Sequence, residues 1–139
     1  MANLTSLLSS AESKSVLSLP SIRGLGNRIW AGIVATANPA YFKCLSAYLR
    51  FCGLTGDAVK NKKYSRDARR LYHMLAERVV QYKNPIFRPI YDNCRVDITS
   101  KNPNYTKRHI HNAALNRTAT MLAKQIYRHV KDIMVKAGE

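Results

Sequence analysis

Six apolar residues, Ala68, Leu71, Tyr72, Leu75, Val79 and Tyr82, fall at positions i, i+3, i+4, i+7, i+11 and i+14 of one continuous stretch. That spacing follows the 3.6-residue period of an α-helix and lines all six along one side. Arg66, Arg70, His73, Glu77 and Gln81 take the opposite side, and Ser65 is a suitable N-cap. The pattern predicts an amphipathic helix over residues 65–83 whose apolar stripe must find a partner to cover it. A chain built around such a stripe is a helical bundle.

The other helices are marked by Asn-Pro pairs. Asn38-Pro39 places a capping side chain before a proline at the first helical position, where the missing N–H costs nothing. The helix expected there runs over 39–52 and ends at Gly53. Tyr41, Phe42, Cys44, Leu45, Tyr48, Leu49, Phe51 and Cys52 go nearly all the way round it, which predicts burial on more than one side. Asn84-Pro85 stops the 65–83 helix. Ile86, Phe87, Ile90, Tyr91, Cys94 and Ile98 then continue at helical spacing and predict a short helix over 88–98. Asn102-Pro103 opens a last helix reaching about Lys136, with a stripe that includes Ala114, Met121, Leu122, Gln125, Ile126, His129, Val130 and Ile133. About 33 residues at 1.5 Å each give a rod of about 50 Å, longer than the elements it packs on. No period-2 alternation marks a strand. The expected fold is all-α: a three-helix bundle with a long C-terminal helix over 64–137, a short attachment helix over 39–53, and an extended N-terminal arm over 1–38.

Charge constrains the partners. In 139 residues there are 23 Lys and Arg against 8 Asp and Glu, a formal net charge of +15 with a pI near 10.1. Residues 1–56 carry 5 basic and 1 acidic side chains, whereas 57–139 carry 18 and 7. Such self-repulsion is relieved by nucleic acid, anionic lipid or an acidic protein. The first 32 residues are rich in Ser and Leu, with Glu12 their one acid and with Arg23 and Arg28 beside apolar residues. This composition fits an organelle-targeting or membrane-surface segment, and equally an arm that threads into an assembly. The run from Ile29 to Leu54 is interrupted by Asn38-Pro39, Lys43 and Arg50, so no stretch of about 20 apolar residues is available to span a bilayer.

Catalytic patterns are missing from the sequence. Cys44, Cys52 and Cys94 have no metal-ligand or disulfide-framework spacing. His109 and His111 are two apart and point to different sides of a helix, while Asp92 and Asp97 are poorly spaced for a carboxylate pair. There is no glycine-rich phosphate loop or nucleophile elbow. The expectation is a protein that is not an enzyme and holds no metal or cofactor of its own. Lys60, Lys62, Lys63 and Arg66 beside Tyr64, and Lys107 and Arg108 beside Tyr105, are candidates for an anionic surface or for RNA, where lysines and arginines neutralise phosphates and aromatic rings stack on unpaired bases.

Leu71-Tyr72-His73 within the 65–83 helix, followed by Phe87-Arg88 and Asn93-Cys94-Arg95, resembles the LYR-type family of mitochondrial accessory and assembly proteins. These are small, basic three-helix bundles with Leu-Tyr-Arg early in the first helix and an aromatic-plus-arginine pattern in the second. The likeness covers residues 65–135, with His73 standing where the family carries Arg. It implies docking of the acidic mitochondrial acyl carrier protein, whose acyl-phosphopantetheine arm enters the bundle. By position, Leu71 and Tyr72 would face the bundle or its acyl tunnel, with Arg69, Arg70 and His73 toward the partner and Phe87, Arg88 and Arg95 completing the partner-binding set. A neutral imidazole at His73 holds a carboxylate less well than a guanidinium. Gly53-Leu54-Thr55-Gly56-Asp57, Ala68-Arg69-Arg70-Leu71 and Phe87-Arg88 are also similar to elements of the small matrix-side subunit of the cytochrome bc1 complex.

Charge, N-terminal composition and resemblance together lead to one functional expectation. It is a non-catalytic accessory subunit of a mitochondrial respiratory-chain or ATP synthase complex, peripheral on the matrix side of the inner membrane, contacting other subunits and anionic lipid. A mitochondrial ribosomal protein binding rRNA and a free LYR-type assembly factor binding the acyl carrier protein are the alternatives.

Overall fold

The computed structural model describes residues 22–55, 60 and 63–137. Among them are five α-helices and one 3₁₀ turn: α1 over Asn27–Thr36, the turn over Pro39–Tyr41, α2 over Leu45–Phe51, α3 over Arg66–Gln81, α4 over Phe87–Lys101 and α5 over Lys107–Ala137. The described residues form no strand, and the all-α bundle expected from the sequence is the observed architecture.

α3 forms where the periodicity places it. The Ser65 hydroxyl accepts from the Ala68 N–H at 3.2 Å, and Asp67 lies in the first turn, where the helix dipole favours a negative charge. Ala68, Tyr72, Leu75 and Val79 are buried along its stripe, together with Ala76. Tyr82, expected to extend the stripe, is instead exposed, because the helix ends at Gln81 and Tyr82 is its C-cap. Lys83 sits at φ +52, and its N–H and that of Asn84 reach back to the Val80 and Val79 carbonyls. α2 ends the same way at Gly53, φ +68, with N–H groups of Gly53 and Leu54 bonded to the Arg50 and Leu49 carbonyls.

α5 is the central strut. It packs against α4, α3, the 3₁₀ turn and α2, while α1 packs on α3. Leu122, Ile126 and Val130 of α5 are fully buried with Tyr48, Tyr72, Leu75, Val79 and Ile33. Val130 is the last fully buried residue described on α5, and Ile133 still packs against the core at its edge. Met121 and Gln125, expected in the core stripe of this helix, are exposed. They lie across the helix from Ala119, Leu122, Ala123 and Ile126, whose small and branched side chains let the neighbouring elements approach.

Two expected segments differ. The 39–52 helix is broken: Phe42 and Cys44 are extended, separating the 3₁₀ turn from α2. The break lets the Phe42 carbonyl accept from the Tyr127 hydroxyl at 3.3 Å. Its apolar residues are not all covered, for Tyr41 is 74% exposed. Residues 27–36, expected within an arm, form α1, which buries Ile29, Trp30, Ile33 and Val34. A ten-residue helix is marginal alone, and packing against α3 is what holds it. Gly32 allows this approach, since a Cβ there would come within 3.0 Å of the Leu71 side chain. Asn84, almost fully buried, fastens the preceding loop. Its Nδ2 donates to the Arg23 carbonyl at 3.0 Å, and its Oδ1 accepts the N–H groups that start α4, Ile86 at 2.9 Å and Phe87 at 3.1 Å. The expected arm over residues 1–21 lies outside the described residues.

Candidate functional site

The partner-binding set expected from the sequence divides into three kinds of environment. Tyr72 and Phe87 are core residues, and Leu71 is half-buried against α1. The Tyr72 hydroxyl meets that of Tyr48 at 2.5 Å, and Tyr48 donates on to the Ala37 carbonyl at 2.7 Å. Burial pushes both phenol groups well above their ordinary range. These residues join α1, α2 and α3.

Arg69 and Arg88 are spent on internal bonds. Arg69, expected to face outward, donates to the Gly53 carbonyl and lies 5.9 Å over the Tyr64 ring. It pins the end of α2 to the start of α3. Arg88 donates through Nε to both oxygens of Asp92, at 3.1 and 3.2 Å, and through Nη1 to the Val80 carbonyl at 2.9 Å. Its bond to Val80 ties α4 to α3.

His73 also departs from the expected outer face. The side chain is half-buried, and its Nε2 is shielded from solvent without a hydrogen-bond partner. Asn116 of α5 stands nearby with its Oδ1 equally unpartnered. Burial, followed by the Arg69 charge, lowers the imidazole below its ordinary 6.5, against smaller opposing effects from Asn116 and Glu77. A group that resists protonation is a poor substitute for a permanent cation.

The remaining members reach solvent. Arg70 is exposed on α3, and Arg95 is exposed on α4, 5.5 Å over the Tyr91 ring. Of the anionic-surface candidates, Lys60, Lys63, Arg66, Lys107 and Arg108 are exposed, and Lys62 lies outside the described residues. At the start of α5, Tyr105 stacks on His109 with ring centres 4.8 Å apart and planes 22° from parallel. This exposed aromatic pair flanks Lys107 and Arg108.

A second cationic array escapes a reading based on clusters in sequence. Arg117, Lys124, Arg128 and Lys131 are separated by 7, 4 and 3 residues, so they share one face of α5. Arg117 and Arg128 are exposed, and Lys124 and Lys131 are half-buried. Helical spacing was the available signal, hidden because no two of them are adjacent.

Among the described residues the ion pairs are Arg88–Asp92 and Lys101–Asp97, both within α4. No group of three His, Cys, Asp or Glu side chains there could hold a metal ion, and no described helix is long and apolar enough to cross a membrane. A surface hollow of about 510 Å³ on α4 is lined by Asp92, Arg95, Val96, Thr99 and Ser100. The Thr99 hydroxyl is already donated to the Arg95 carbonyl, which leaves it poorly placed as a nucleophile. Compared with known proteins, the chain matches no family model, no curated protein and no solved structure.

Proposed function

We propose that the protein is a non-catalytic accessory subunit of a mitochondrial respiratory-chain or ATP synthase complex, peripheral on the matrix side of the inner membrane. The observation that carries this reading is a cationic surface wrapped around a filled core. The chain has 23 basic side chains, and its described ion pairs engage Arg88 and Lys101 alone. A monomer bearing +15 gains by placing those charges against acidic subunits or anionic headgroups. Several polar and nucleophilic side chains are taken up by the fold: Tyr48 and Tyr72 bond to each other, Tyr91 to His111, and Cys52 is buried.

An acyl arm reaching Leu71 and Tyr72 has to displace Gly32 of α1 and Tyr48 of α2. The acyl-carrier role implied by the family resemblance therefore draws no support from this geometry. The ribosomal alternative has one specific observation in its favour, the exposed Tyr105–His109 stack between basic side chains, which suits an unpaired base and its phosphates.

Affinity purification of the tagged full chain from isolated mitochondria, with and without nuclease, separates the two. The expected result is recovery of inner-membrane complex subunits that is unchanged by nuclease. Recovery of ribosomal subunits that is lost on nuclease treatment establishes the rRNA reading in its place.

A further inference from the structure

The outward stripe on α5 has features that neither a solvated face nor an RNA-binding face requires. From Arg117 to Lys131 it covers 15 residues, whose 14 steps make about 21 Å of helix. Its helical neighbours include two exposed apolar residues, Met121 at 36% and Val135 at 64%. None of its four cations is in an ion pair with a described residue; Lys131 instead lies 5.4 Å over the Tyr127 ring. Val135, on the same side, lies beyond Val130, while Ile133 on the opposite side still packs against the core.

We propose that this stripe docks an acidic amphipathic helix of a neighbouring protein subunit, with carboxylates at helical spacing opposite Arg117, Lys124, Arg128 and Lys131. Charge complementarity selects the sign of the partner. The apolar residues select its kind, because Met121 and Val135 gain by packing against side chains and gain nothing from phosphates. The stripe offers no exposed aromatic ring for base stacking. A membrane surface fits less well, since the broad apolar side of α5 is already buried in the bundle. Two helices meeting along such a seam bring side chains three and four residues apart into register, so several weak pairs act together. The proposal rests on the accessory-subunit reading and supplies its contact.

A photo-crosslinking amino acid at Met121 of the full chain, expressed in its organelle, tests it. The expected product is a crosslink to a helical segment carrying Asp or Glu at spacings of three, four and seven residues. The combined substitution R117E/K124E/R128E should lower the yield at least tenfold, and reversing the mapped carboxylates to Lys should restore it. R117K/R128K, which keeps the charge, should crosslink normally, and circular dichroism of the reversed variant checks that its helix content is intact. Crosslinks to RNA, to lipid or to a segment without such acids overturn the proposal. So does no crosslink, or a yield indifferent to charge reversal. Migration of the crosslinked chain on a native gel keeps the two ideas apart. A failed crosslink in a chain still bound to a respiratory complex removes the stripe alone, whereas migration with ribosomes removes the accessory-subunit reading.

Discussion

Tyr48 and Tyr72 are fully buried, and counting protons settles how their hydroxyls share one bond. Tyr48 donates to the Ala37 carbonyl, so it must accept from Tyr72. Tyr72→Phe removes one donor and leaves Tyr48 bonded, for an expected loss of about 1 kcal/mol. Tyr48→Phe strands the Tyr72 hydroxyl and frees the Ala37 carbonyl, for an expected loss of about 2–3 kcal/mol. Urea unfolding of the two variants measures the difference. His73 gives a pH dependence with a definite sign. Its folded value lies below the ordinary 6.5, so the unfolded chain takes up the proton first, and stability falls as pH drops below about 6.5. Urea midpoints at pH 7.5 and 5.5 should differ less in His73→Gln than in the natural chain. The three thiols differ in reach. Cys44 is exposed and its thiol is lowered chiefly by the Ser46 hydroxyl, whereas burial pushes Cys52 up to about 12 and also raises Cys94. A thiol-specific reagent should label Cys44 rapidly in the folded protein and the other two only after unfolding.

Helix ends show what the sequence could and could not announce. α2 and α3 stop in the same left-handed motif, one with Gly53 and the other with Lys83. Gly53 is legible because glycine adopts that conformation freely, whereas nothing about lysine signals it. Lys83→Gly should therefore stabilise the protein by about 0.5 kcal/mol, read as a higher unfolding temperature. Gly53→Ala should do the reverse and cost about 1–3 kcal/mol, since the new Cβ would come 2.5 Å from the Tyr64 ring. The stripe of α3 was readable from periodicity because α5, α1 and α4 cover one side of it and leave the other to solvent. α1 was not, because it is ten residues long and is held through contact with α3. The inward turn of Arg69 and His73 was hidden for a related reason. Both sit beside the apolar stripe, and a long or flat side chain there bends toward whichever neighbour arrives, Gly53 for one and Asn116 for the other.

At the scale of the molecule, a modest core is surrounded by far more positive charge than it can balance. α5 brings α2, α3, α4 and the 3₁₀ turn together. Two cations beside the α2–α3 and α3–α4 junctions have internal tasks, Arg69 at Gly53 and Arg88 at Val80 and Asp92. Those along the outer side of α5, the start of α3 and the α4–α5 corner remain for neighbours. This division separates residues that hold the fold from residues left at the surface, some of them clustered in sequence, as at Lys107 and Arg108, and some, as on α5, only brought together by the helix. The most direct measurement is two-dimensional native electrophoresis of mitochondria solubilised in mild detergent, with the full chain followed by antibody. Co-migration of the chain with an assembled respiratory-chain or ATP synthase complex is the predicted result. A chain found as free monomer, or only in ribosomal fractions, would contradict it.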